Sequence, residues 1–267
     1  MKDLNAEQNE GPGFYTGEWA SNIEPEKSNV PASRTEMRHG RGKFIWPDGE
    51  VYEGYWLYDR MHGYGRKIYD DGTVYTGSWL NNLHNGMGRI TLSNGDTYEG
   101  HFADGEYDGE GTQTLASNGG GHYTGSFRRG LKHGTGDFQW LDGSYYKGTF
   151  VNDCMDGSGV YRWADGTFYE GEWRKGKMHG RGTFRLGDGR YYVGEFANDK
   201  KEGYGEYFWA DGRAYKGQWV AGKQHGEGTF VKTTGKEKRG RWENGKRVAW
   251  LSDNNQDEGG PQLLHGK

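Results

Sequence analysis

A single cysteine, Cys154, stands in 267 residues, which excludes an intramolecular disulfide and fits a reducing compartment. Its neighbours Asp153 and Asp156 would raise rather than lower a thiol pKa, so it is a poor candidate nucleophile. There is no apolar run of 18 residues and no apolar N-terminal stretch, so neither a membrane-spanning helix nor a secretion signal is expected. A net charge of -4 lacks the basic excess that nucleic-acid binding requires. Hydrophobic residues make up only 31% of the chain, too few for an ordinary aliphatic core at this length.

What the chain does have is glycine, at 50 residues, and aromatics, at 15%. Both fall into one recurring pattern, clearest in Tyr169 to Leu186, YEGEWRKGKMHGRGTFRL. With Tyr169 as position 0, Gly171 and Trp173 stand at 2 and 4, Gly180 and Gly182 at 11 and 13, and Phe184 and Leu186 at 15 and 17. The opening tyrosine recurs as Tyr15, Tyr52, Tyr75, Tyr98, Tyr123, Tyr146, Tyr169, Tyr192 and Tyr215, with a degenerate tenth copy at Lys238/Gly240/Trp242. Seven of the nine steps are 23 residues, and the two longer ones are insertions.

Positions 0, 2, 4 and 11, 13, 15, 17 share a period of two, which sends their side chains to one face of a strand. Each unit is therefore two short β-strands with an aromatic and glycine face, here called the inner face, and a polar outer face bearing Glu170, Glu172, Arg181 and Arg185. The unit-end Asp-Gly or Asn-Gly, as in Asp48-Gly49 and Asn94-Gly95, suits a tight hairpin with positive φ. Position 7, held by Asp59, Asn82, Gly105 and their equivalents, tolerates left-handed backbone. The expectation is an antiparallel meander of about nineteen strands. The pair Gly180 and Gly182 would leave a flat floor for a neighbouring ring. One hairpin cannot stand alone, so the units need stacked neighbours.

Y-x-G-x-W followed by H-G-x-G at 23-residue spacing closely resembles the MORN repeat family, over residues 15 to about 242. The resemblance implies an all-β fold: an elongated single-layer antiparallel β-meander of about nine 23-residue hairpin repeats, a twisted or curved rod. It also implies scaffold, tether or adaptor roles at membranes, the cell cortex or the ciliary and flagellar cytoskeleton, often with self-association. The expected layout is a flexible leader (1–14), the array (15–250) and a flexible tail (251–267). A 14-residue loop insertion falls within 20–38, and whether it has a role is left open. Two extra residues near Asn118 to Gly121 enlarge one turn, and Val248 to Leu251 offers a cover for the sheet edge.

Several catalytic motifs are by-products of the repeat. Gly171 to Lys177, Gly217 to Lys223 and Gly240 to Lys246 read G-x-x-x-x-G-K, yet the next residues are Met178, Gln224 and Arg247, with no magnesium-binding hydroxyl. The position-10 histidines His39, His62, His133, His179 and His225 recur two strands apart, about 10 Å, too far to share one metal. They are expected to bond turn backbone instead. No catalytic residue, metal site or cofactor is expected, and the chain is read as not an enzyme.

Binding remains. The inner face would take a protein partner as an extended peptide or amphipathic helix, through Tyr75, Trp79, Tyr98, Phe102, Tyr123, Phe127, Tyr146, Phe150, Tyr169 and Trp173, unless these rings are simply core. The alternative is a peripheral membrane tether, in which Lys232, Lys236, Lys238, Arg239, Arg241, Lys246 and Arg247 meet anionic phospholipids or phosphoinositides. A bland reading of that cluster is a solvated edge that deters sheet aggregation. The location implied is cytoplasmic, at a cytoskeletal, ciliary or membrane surface, with a homodimer left open.

Overall fold

The computed structural model describes residues 13–21, 36–116 and 119–251. Residues 1–12 of the expected leader, most of the first-unit insertion, residues 117–118 and the tail beyond 251 lie outside them, while Phe14, the last leader residue, already opens the first strand. The chain divides into two compact units, one through Ala164 and one from Asp165. No helix is present among the described residues, so none is long and apolar enough to cross a membrane; this has no bearing on β-barrels.

The first unit holds β1 (Phe14–Ser21), β2 (Glu36–Ile45), β3 (Val51–Leu57), β4 (Arg60–Ile68), β5 (Val74–Leu80), β6 (Leu83–Thr91), β7 (Thr97–Ala103), β8 (Glu106–Leu115), β9 (Gly121–Arg128), β10 (Leu131–Trp140), β11 (Tyr145–Val151) and β12 (Cys154–Arg162). The second holds β13 (Phe168–Arg174), β14 (Lys177–Arg185), β15 (Tyr191–Ala197), β16 (Lys200–Phe208), β17 (Ala214–Val220), β18 (Lys223–Val231), β19 (Glu237–Glu243) and β20 (Lys246–Trp250). Within each unit every ladder is antiparallel and joins chain neighbours. The expected meander is thus present, and its strands number twenty because Lys246–Trp250 pairs with β19. The first hairpin arms reach into the insertion, where Trp19, Ala20 and Ser21 pair with Arg38, Met37 and Glu36.

The turns differ from expectation. The tight two-residue hairpin is at positions 6 and 7, where both residues have positive φ, as in Tyr58 (48°) and Asp59 (66°) or Asn81 (50°) and Asn82 (73°). The Asp-Gly connection is longer, and only its glycine is left-handed, as at Gly49 with φ 92°. There the Asp48 carboxylate accepts from the Glu50 N–H at 3.0 Å, a role that needs no positive φ at the aspartate. The position-7 residue also fastens successive repeats: the Asp59 N–H donates to the Arg38 carbonyl at 3.0 Å, and Asp59 Oδ1 accepts from the Arg38 N–H at 2.9 Å.

The ring floor is likewise built across strands, by Gly171 and its cross-strand partner Gly182 rather than by Gly180. A Cβ at Gly182 would fall 2.4 Å from the Tyr169 ring. Gly180 serves a bulge, with φ 58° and the Glu172 carboxylate taking the Arg181 N–H at 3.1 Å.

Candidate inner-face binding site

Each repeat tyrosine lies on its glycine pair and donates its hydroxyl to the carbonyl three residues on, for example Tyr75 to Ser78 at 2.8 Å and Tyr98 to His101 at 2.8 Å. Its ring meets the position-4 ring of its own repeat and of the next in edge-to-face contacts. Tyr75 touches Trp79 and Phe102 at 5.0 and 5.1 Å, and Tyr98 touches Phe102 and Phe127 at 5.1 and 5.0 Å. Where position 4 is tryptophan, the indole N–H reaches back to a glycine carbonyl of the preceding repeat, as from Trp79 to Gly65 at 3.1 Å and from Trp219 to Gly205 at 3.0 Å.

The ten rings read from sequence as partner contacts are therefore the interior of this stack. Tyr75, Tyr98, Tyr123, Tyr146 and Tyr169 are 0% exposed, and Trp79, Phe102, Phe127, Phe150 and Trp173 are 3–5% exposed. They shape the inner face from beneath and offer almost no surface of their own. Burial also pushes their tyrosine hydroxyls above the ordinary range.

The surface that is reachable comes from position 17 and from part of positions 9 and 15, where Met61, His84, Lys67, Ile90 and Phe138 are themselves buried. In the first unit position 17 supplies Trp46, Tyr69, Leu92, Leu115 and Trp140, all half-buried, and in the second Leu186 and Trp209. Position 9 covers the tyrosine ring from the side opposite the glycines: His84 stacks on Tyr75 at 3.6 Å, Tyr107 on Tyr98 at 3.8 Å, and the Lys201 ammonium lies 5.2 Å from the Tyr192 ring. The aromatic and glycine period does not single out this row. Its signal was available: position 9 holds Arg38, Met61, His84, Tyr107, Lys132, Met155, Met178, Lys201 and Gln224, always a long or planar side chain.

One stretch of the face is polar inside. Lys67 is buried, pairs with Glu50 at 2.7 Å, and lies over the Trp46 and Tyr69 rings at 4.8 and 4.4 Å. Tyr69 in turn bonds His84 Nε2 at 2.8 Å. Burial drives the His84 imidazole down to about 3, and the Lys67 ammonium adds to the shift. Because its folded pKa lies below the unfolded 6.5, the unfolded chain binds the extra proton. Stability is unaffected above pH 6.5 and falls as the pH drops from 6.5 toward 3, by on the order of 4 kcal/mol over the whole window. Urea titrations of the parent and of His84→Tyr, which copies the neighbouring Tyr107, should diverge below pH 6.5, with the parent losing more; superimposable profiles would refute the assignment.

Three of the position-10 histidines do not bond turn backbone through Nδ1. His39, His62 and His133 have buried Nδ1 atoms with no hydrogen-bond partner. The N–H groups beside them are already taken by position-7 side chains: Arg38 by Asp59, Met61 by Asn82 and Lys132 by Asp153. No three His, Cys, Asp or Glu side chains converge on a metal position among the described residues. The three G-x-x-x-x-G-K stretches each run from strand through a two-residue turn into the next strand, with no helix to receive a phosphate.

The seven C-terminal basic residues are spread over both faces. Arg239 pairs with Glu227 at 2.9 Å and Arg241 approaches Glu243 at 3.9 Å on the outer face, whereas Lys238 and Arg247 lie over the Trp250 ring at 4.6 and 4.0 Å on the inner face. Lys232 and Lys236 flank the β18–β19 turn, where the Lys232 N–H donates to the Lys236 carbonyl at 3.0 Å, and Lys246 opens β20.

The family model of the MORN repeat matches residues 37–51, 52–74, 75–97, 98–120, 123–145, 146–168, 169–189, 192–212 and 215–237. Strand β1 and, beyond Glu237, the β19–β20 hairpin lie outside those matches yet pair in the same way. No curated protein matches the chain. Among solved structures, the wild-type TCP10 domain of Danio rerio CPAP is similar at 11% identity and a TM-score of 0.43, over 78% of this chain and 98% of that one. The same domain in complex with a peptide of Danio rerio STIL is similar at 13% identity and a TM-score of 0.32, over 80% and 96%. The Drosophila melanogaster SAS-4 TCP domain in complex with a proline-rich motif of Ana2 follows at 12% and 0.25, over 75% and 83%. At these values the likeness does not extend to function.

Proposed function

The chain belongs to the MORN repeat family, and from that membership together with the half-exposed rows of its inner face we propose a noncatalytic scaffold that binds a protein partner. The observation that carries this reading is the division of labour among the rings. Positions 0 and 4 are spent on holding the sheet together, while position 17 and the unburied members of positions 9 and 15, such as Tyr107, Phe184 and Phe230, keep aromatic and long side chains at the surface of the same face. Rigid, partly exposed rings on a preformed floor are anchors for a peptide, since little side-chain freedom is lost when they are covered. The ten buried rings act in this reading by fixing those anchors. The proposed setting is a cytoskeletal, cortical, ciliary or flagellar assembly, on the strength of the family resemblance; a second copy of the chain is one candidate partner.

A photocrosslinking phenylalanine placed in turn at positions 140 and 209 on the inner face, and at 64 and 204 on the outer face, tests this in cells. Adducts to protein should form from 140 and 209. Adducts only from the exposed outer-face positions Tyr64 and Tyr204, or adducts to lipid, would reject it.

A further inference from the structure

In residues 165–251 the two faces differ in how their charges are matched. Every carboxylate at a strand position faces outward, among them Glu195, Glu206 and Glu227, and outer-face cations find them: Lys216 approaches Glu206 at 3.8 Å and Arg239 meets Glu227 at 2.9 Å. The inner-face strand positions of this unit carry Lys201, Lys238 and Arg247 and no Asp or Glu. None of these three makes an ion pair among the described residues; each is bedded on rings. Lys201 Nζ lies 4.4 Å from the Tyr207 ring and 4.9 Å from Trp219, and Lys238 and Arg247 share Trp250.

Ring faces attract a cation but do not neutralise it, and the half-buried Lys201 ammonium has lost water for which it gains no counter-charge, while Lys238 and Arg247 stand exposed on the same face. We infer that the inner face of residues 165–251 binds an acidic peptide, whose carboxylates meet Lys201, Lys238 and Arg247 while its apolar side chains cover Trp209 and Phe230. This deepens the proposed function and rests on it. Lys201 and Arg247 share one row, each opposite a position-4 ring, Phe196 and Trp242, and are four strands apart. That separation is roughly 19 Å, about six residues of extended chain.

The state of Lys201 supports the assignment and supplies a readout. Burial, with Arg190 adding repulsion, brings its ammonium down to about 8. The groups that face it are Tyr192 on β15, Tyr207 on its own strand, Trp219 on β17 and Arg190 in the turn before β15, none of them anionic at neutral pH. A carboxylate placed beside it raises that pKa, so binding at pH 8.5 takes up a proton.

The experiment pans a random dodecapeptide library against the full chain and measures each recovered peptide on the parent, on Lys201→Met/Lys238→Gln/Arg247→Gln, and on Trp209→Ala, with melting temperatures confirming that all three fold. The expected binders are enriched in Asp and Glu, weaken tenfold or more on the triple variant and on Glu→Gln replacement in the peptide, and take up a proton at pH 8.5 that Lys201→Met abolishes. Peptides that need Trp209 but show no acidic enrichment and ignore the triple variant would overturn this inference and leave the proposed function standing. Absence of any peptide that depends on the inner face would overturn both. Phosphatidylserine–phosphatidylcholine vesicles that bind through the same three cations at physiological salt, where no acidic peptide does, would assign them to lipid and overturn the inference.

Discussion

Replacing Gly88 with valine is expected to cost roughly 3–5 kcal/mol, through forced overpacking together with loss of a buried hydrogen bond. A Cβ there would stand 2.3 Å from the Tyr75 hydroxyl oxygen and 2.6 Å from the ring carbon that bears it. Opposite Gly88 is Gly77, whose own Cβ position is 2.5 Å from the Gly88 Cα, so the strands cannot separate to make room without breaking the ladder. The tyrosine must leave its floor, and its bond to the Ser78 carbonyl and its contacts with Trp79 and Phe102 go with it. Gly72→Ala is the matched control. Gly72 has φ 85° and nothing within 4 Å of its Cβ position, so its replacement costs only the left-handed backbone, about 1 kcal/mol. Repeat arrays need not unfold in one step, so amide exchange in β5 and β6 is the appropriate measurement. Equal loss of protection in the two variants would mean that the ring floor is not what the strand glycine provides.

Tyr98→Ala carries the second large effect, roughly 3–5 kcal/mol, the range for deleting a large buried ring. Tyr98 is fully buried, with Phe102 and Phe127 edge-on and Tyr107 stacked at 3.8 Å. Its removal therefore opens a gap between two successive repeats, and the damage should spread to both. Tyr98→Phe keeps the ring and loses only the bond to the His101 carbonyl, about 1 kcal/mol. Urea titration of the two variants separates ring from hydroxyl. A phenylalanine variant as unstable as the alanine one would place the stability in the hydroxyl network, and an alanine variant within 1 kcal/mol of the parent would remove the stack from the account of the fold.

Much of this was legible because the repeat is its own internal comparison. Aromatic and glycine positions separated by even intervals fix the strand face, and recurrence every 23 residues fixes the hairpin unit. Asp and Asn at position 7 announced left-handed backbone, which Asp59 and Asn82 adopt. The identity of the two turns was less legible, since Asp-Gly fits a two-residue hairpin as well as the longer loop it forms here. What separates them is the hydrogen bond from the Glu50 N–H to the Asp48 carboxylate, a property of loop length rather than of the dipeptide. The reachable surface lies one layer above the rings that period two selects, for a related reason. Period two places Tyr75 and Trp79 on the inner face, but how much of each remains exposed depends on Phe102 from the next repeat and on His84 stacked above.

By itself, then, the sequence determined the strand faces, the hairpin unit, the segregation of carboxylates away from the inner face and the unsuitability of the chain for a nucleotide loop. All of these follow from spacing along one chain. Tertiary structure alone decided which rings are sealed, that position 9 lies over the position-0 ring, that Gly180 makes a bulge while Gly182 makes a floor, and that Lys67 finds Glu50 while Lys201 finds only rings. Those outcomes turn on contacts between side chains on neighbouring strands a few ångströms apart. Such contacts depend on register, bulges and side-chain reach, which a period along the chain does not encode.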